Sequence, residues 1–191
     1  DSIYGANIPL SAVGIVMKVF AIVIAFAVGI GVGGQPIVGY NFGAGNYRRV
    51  KETYRAIVLA VCIAGMIAML LFELCPQMLI RLFGNESELY NQYAQLCFRI
   101  FLGGILLTCL QKVSSIFLQS MGRPLQSTLL SLARDVVFFV PALLFLAPRY
   151  GVAGMLWAAP IADVLAGILA ALLVASEMRR LTALENAPHK H

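Results

Sequence analysis

From Val19 to Tyr47 the chain carries no Asp, Glu, Lys or Arg. A helix needs roughly 20 apolar residues to cross a bilayer, so this run can span one with some tilt or overhang. The rest of the chain agrees. Of its 191 residues, 60% are hydrophobic and only 12% charged, and the mean hydropathy is +0.86. A soluble domain carries about a quarter charged residues, and half that leaves too little polar surface to cover a globule in water. The reading is all-α: a polytopic membrane helix bundle in contact with the lipid bilayer. The net charge of +5 is not a nucleic-acid signal, because the basic residues sit in short loops and at helix ends.

Five transmembrane helices are expected, at about 10–38, 55–74, 89–121, 125–146 and 152–177. The first ends in Tyr40-Asn41-Phe42-Gly43, with Gly45 and Asn46 completing a turn. Residues 47–54 alternate charges and aromatics and read as a short interfacial helix. Residues 77–88 read as the second loop. Gly122-Arg123-Pro124 is a tight link in which Gly closes one helix and Pro opens the next. Pro148-Arg149-Tyr150-Gly151 is another. Two stripes of small residues recur every fourth position and suit close helix packing. One is Ala25, Gly29 and Gly33 in the first helix. The other is Gly154, Ala158, Ala162, Ala166 and Ala170 in the last.

Basic residues in short loops set the orientation. Arg48, Arg49, Lys51, Arg55, Arg123, Arg179, Arg180 and Lys190 fall on one side of a five-span layout, while Arg81 and Arg149 fall on the other. The first side is then cytoplasmic, with the N-terminus outside and the C-terminus inside. No initiator Met and no signal peptide open the chain, so it reads as the C-terminal part of a longer protein. Cys62, Cys75, Cys97 and Cys109 form no CxxC pair, and the two His residues lie in the tail. No metal site is expected, and a Cys75–Cys97 disulfide stays open only as a minor reading.

Ionisable groups within a span are functional candidates by default. Lys112 in helix three, and Arg134 with Asp135 in helix four, each lie about ten residues from the Gly122–Pro124 link. Across the hairpin, Lys112 and Asp135 are expected to meet in an ion pair that closes the cytoplasmic side. Asp163 is the one acid near the middle of a span. It is either a proton or cation site facing an aqueous cavity, or a carboxylate paired with a basic residue brought to it by the fold. Gln35, Asn41, Gln111 and Gln119 either line a polar pathway or cross-link helices. Tyr40 is an aromatic that packs, meets lipid, or attracts flat cations. No catalytic constellation is present, so the chain does not read as an enzyme.

The run Gln35-Pro36-Ile37-Val38-Gly39-Tyr40-Asn41-Phe42-Gly43-Ala44 with Arg48-Arg49-Val50-Lys51 resembles the multidrug and toxic compound extrusion (MATE) family. So do Phe117-Leu118-Gln119-Ser120-Met121-Gly122-Arg123-Pro124, the stretch from Leu130 to Arg134, Pro141, and Gly151-Val152-Ala153-Gly154 leading to Trp157, Pro160 and Asp163. The resemblance implies a two-lobe transporter of twelve helices with alternating access. This chain would be a partial C-terminal lobe, helices eight to twelve, whose partner is the missing N-terminal lobe of the same protein. The implied activity is exchange of H⁺ or Na⁺ for small organic cations at the plasma membrane, with no other cofactor. One branch of the family places acidic cation ligands on helices seven and ten. The matching helix here, 89–121, has no acid, so that site does not carry over. A lipid-linked saccharide flippase of the same superfamily and a non-transporting membrane subunit are the alternatives.

Overall fold

The structure is a computed structural model that describes residues 7–74, 95, 97, 99–100 and 104–186. The second loop, Arg81, Cys75, most of the first half of helix three, Lys190 and both His residues lie outside the described residues. Six segments follow in order: α1 (Asn7–Gly43), α2 (Tyr47–Leu74), α3 (Ile105–Ser120), α4 (Pro124–Leu132), a π-helical segment (Ala133–Phe138) and α5 (Phe139–Glu185). Four stretches among the described residues are long and apolar enough to cross a membrane: Val13–Gly43, Tyr47–Leu71, Pro124–Gly151 and Gly154–Glu185. Of the remaining expected span, α3 is the described second half.

The turns form where glycine permits a left-handed backbone. Gly45 (φ 74°) ends α1, with the Asn46 amide donating to the Asn41 carbonyl and the Gly45 amide to that of Phe42. Gly122 (φ 71°) repeats this at the end of α3, with Arg123 donating to Leu118 and Gly122 to Gln119. Both are Schellman closures, in which the glycine has no Cβ to clash and the last carbonyls of the helix are satisfied. Pro124 then opens α4. The third reversal is at Gly151, whose φ of 57° and ψ of −136° break α5 into two arms.

Helix α3 is the centre of the bundle and packs against α1, α2, α4 and α5. Its Ile105, Cys109, Val113, Phe117 and Leu118 are buried. It runs parallel to α1, since Gly31 faces Val113 and Ile116 while Gly39 faces Ser120. It also runs parallel to the second arm of α5, since Gly104 faces Asp163 and Gly167 faces Leu107. It is antiparallel to α2, where Gly65 faces Leu106 and the Tyr54 hydroxyl lies 3.0 Å from Ser114 Oγ.

Two expectations change. Residues 47–54 are the first two turns of α2 and not a separate interfacial helix. No breaker separates them from the span, and Val50, Tyr54 and Ile57 form one inward row, with Tyr54 stacked on Phe117 at 4.2 Å. The contact face of α1 also differs. A Cβ added at Gly29 or Gly33 meets nothing within 4 Å, whereas one at Gly31 comes to 3.0 Å from Ile116 and one at Gly34 to Ile57. Within this chain Gly29 and Gly33 are therefore not packing residues. The stripe of α5 does pack: Ala158, Ala162 and Ala166 are fully buried.

Candidate transport-pathway site

Four charged side chains from three helices meet beside the middle of the bundle. Arg134 and Asp135 lie on the π segment, which holds an extra residue per turn and so re-aims its side chains relative to an α-helix. Arg134 reaches across to α5, where its Nη2 and Nε lie 2.8 Å and 2.9 Å from Asp163 Oδ1. Its Nη1 donates to Asp135 Oδ1 at 2.7 Å. Lys112 Nζ on α3 stands 3.8 Å from Asp135 Oδ2. Two cations thus face two acids, and the cluster is neutral, as an intramembrane charge group should be.

Asp163 is fully buried and sits against the backbone of Gly104 at the start of α3. A Cβ at Gly104 would lie 2.6 Å from Asp163 Oδ2, so a glycine there makes room for the carboxylate. Oδ2 has no hydrogen-bond partner among the described residues. Arg134 also lies 5.7 Å from the centre of the Phe20 ring on α1.

The Lys112–Asp135 contact is half-exposed and long, so its coupling should stay below about 1 kcal/mol. A cycle of Lys112→Ala, Asp135→Ala and the double variant, read by thermal unfolding in detergent, is expected to show a small non-additive remainder. Strictly additive losses would mean that the two charges do not interact.

A second polar feature adjoins the cluster. A cavity of about 420 Å³ opens between α1, α3 and α4, with Lys112, Ser115, Gln119, Ser127, Thr128 and Ser131 on its polar wall. Ser115 Oγ lies 2.8 Å from Ser127 Oγ and 2.9 Å from Ser131 Oγ, tying α3 to α4. Gln111 donates to the Leu130 carbonyl at 2.9 Å, one turn before the π segment. Of the glutamines weighed above, Gln111 is therefore a cross-link and Gln119 lines the cavity.

The other sequence candidates lie elsewhere. Tyr40 is largely exposed, Gln35 is half-buried on α1, and Asn41 donates to Ile37 of its own helix. The serines were missed, although Ser127 and Ser131 stand four residues apart, one turn of a helix, opposite Ser115. Gly104 left no signal, since only the fold brings Asp163 to it.

At one end of the bundle the start of α2, the α3–α4 link and the end of α5 come together. Lys51 bonds to Glu185 and Thr182, and Arg123 lies 3.5 Å from the buried Glu177, which Arg180 also contacts.

A family model described as MatE matches residues 2–144. The chain belongs to the MatE family. It is thus a multi-pass membrane protein, and the MatE family is one of transporters and not of enzymes. The multidrug export protein MepA of Staphylococcus haemolyticus is 24% identical over 94% of this chain, but the match covers 39% of MepA. The chain thus spans about two fifths of the length of such relatives. An outward-facing multidrug resistance MATE transporter of the MOP superfamily superposes with a TM-score of 0.85 at 17% identity, over 96% of this chain and 41% of that one. The MATE transporter ClbM in complex with Rb⁺ superposes with a TM-score of 0.76 at 25% identity, over 95% of this chain and 42% of that one.

Proposed function

We propose that this chain forms most of one lobe of a multidrug efflux antiporter that exchanges H⁺ or Na⁺ for small organic cations by alternating access. The observation that carries this is the match of nearly the whole chain to a multidrug exporter, MepA. The relatives' names favour multidrug export over a lipid-linked saccharide flippase. The lobe sits in the plasma membrane with the cluster of Lys51, Arg123 and Arg180 on the cytoplasmic side, following the loop-charge rule. It works against a second lobe of the same protein.

Asp163 supports ion coupling through its geometry. Arg134 binds one of its oxygens, and the other is buried without a donor among the described residues, so a proton or small cation there would meet an unmet acceptor. ClbM with bound Rb⁺ is a relative in which a monovalent cation is held. The test is uptake of a fluorescent organic cation into vesicles carrying the intact protein, under a Na⁺ or a H⁺ gradient imposed separately. One gradient is expected to raise uptake several-fold above the no-gradient control. Uptake that ignores both gradients would remove the antiport reading.

A further inference from the structure

The cavity between α1, α3 and α4 has a chemistry that an organic cation does not match. Among the described residues its lining holds one cation, Lys112, and no acid. An ammonium carries three N–H donors. Among the described residues Lys112 makes a single polar contact, to Asp135 at 3.8 Å, beyond hydrogen-bond length. The other oxygen of Asp135 is held by Arg134 at 2.7 Å. Thr128 and Gln119 on the same wall also make no side-chain hydrogen bond among the described residues, whereas the hydroxyls of Ser115, Ser127 and Ser131 are engaged with one another. Donors are therefore in surplus on this wall. The rest of the lining is apolar, from Val28, Ile116, Pro124 and Leu132. The volume of about 420 Å³ lies within the range of small-molecule sites.

We propose that this cavity binds a small anionic oxygen group, a carboxylate or phosphate on an apolar body, with Lys112 Nζ as its charged donor and Thr128 and Gln119 as further polar groups on the lining. The apolar part of the ligand rests on Val28, Ile116 and Leu132. A charge-assisted bond to Lys112 is the strongest of these contacts, and it competes with the loose Lys112–Asp135 pair. An organic cation would meet the Lys112 ammonium, and among the described residues the lining itself offers it no carboxylate. The site is thus distinct in ligand charge from the cation reading given above, and it stands whichever ion drives transport. The anionic group has two sources, a dissolved organic anion or the headgroup of an acidic lipid.

The test is equilibrium binding of benzoate and phenyl phosphate to the intact protein in nanodiscs of phosphatidylcholine, repeated with phosphatidylglycerol added. Saturable binding is expected in phosphatidylcholine. It should fall at least tenfold in Lys112→Gln, stay within threefold in Lys112→Arg, and fall a few-fold in Thr128→Ala, an exposed position where folding is not at stake. Equal binding in both lipids assigns the site to a dissolved anion. Displacement by phosphatidylglycerol assigns it to a lipid headgroup. Binding unchanged in Lys112→Gln, or no saturable binding in phosphatidylcholine, overturns the proposal.

Discussion

Arg134→Leu is expected to destabilise the protein by about 3–5 kcal/mol, the range found when one partner of a buried ion pair is removed. The reason is the carboxylate left behind. Asp163 is fully buried, Arg134 donates to its Oδ1, and Oδ2 already lacks a donor among the described residues. Removing Arg134 strands a charge in an apolar setting, where an unpaired carboxylate is far costlier than an unpaired amide. The variant Asp163→Leu strands Arg134 less severely, because Asp135 still holds its Nη1. The double variant Arg134→Leu/Asp163→Leu should therefore recover most of the loss, since a hydrophobic pair can replace a buried ion pair at little cost. Thermal unfolding in detergent, followed by size-exclusion of the surviving protein, reads all three. A double variant no more stable than Arg134→Leu would show that the pair is not what holds these helices together.

The second large effect is expected at Gly154. The chain reverses at Gly151, and the first turn of the new arm passes so close to the old one that a Cβ at Gly154 would collide with the Leu146 carbonyl oxygen and sit 2.7 Å from its carbon. Backbone atoms have no rotamer to escape into. Gly154→Ala should cost about 1–3 kcal/mol from overpacking, net of the helix-propensity gain of up to about 1 kcal/mol that alanine brings. Gly29→Ala is the matched control, since its added methyl meets nothing within 4 Å. It should be neutral or slightly stabilising in the same unfolding assay. Equal responses at the two glycines would contradict the close approach at the reversal.

The contrast between these glycines shows what was legible. Helix α1 carries glycine on opposite sides: Gly29 and Gly33 on one, Gly31 on the other. Two residues along a helix turn the side chain by about 200°, so both faces offered the same invitation and no local rule chose between them. The choice depends on where Val113 and Ile116 of α3 fall. On α5 the stripe from Gly154 to Ala170 had no such rival, and its reading as a packing face agrees with its burial. The charges behave likewise. Lys112 and Asp135 could be paired by counting from the Gly122–Pro124 link, because a hairpin brings equal distances together. Asp163 could not be assigned to Arg134, because the two lie on elements joined by the reversal at Gly151, and the π segment shifts the direction in which Arg134 points.

What the amino-acid sequence determined by itself is what depends on solvent and on local backbone geometry. The scarcity of charge decides for the bilayer, and Gly45, Gly122 and Gly151 permit the left-handed backbone at which three helices end. Pro124 starts the next helix, and the basic residues gather at one end. Only the tertiary structure decided which face of α1 meets α3, which acid takes Arg134, and that Ser115, Ser127 and Ser131 tie two helices beside a cavity. Those outcomes are set by contacts between segments far apart in the chain, where several pairings satisfy the same hydropathy and the same helical period, and close packing admits one.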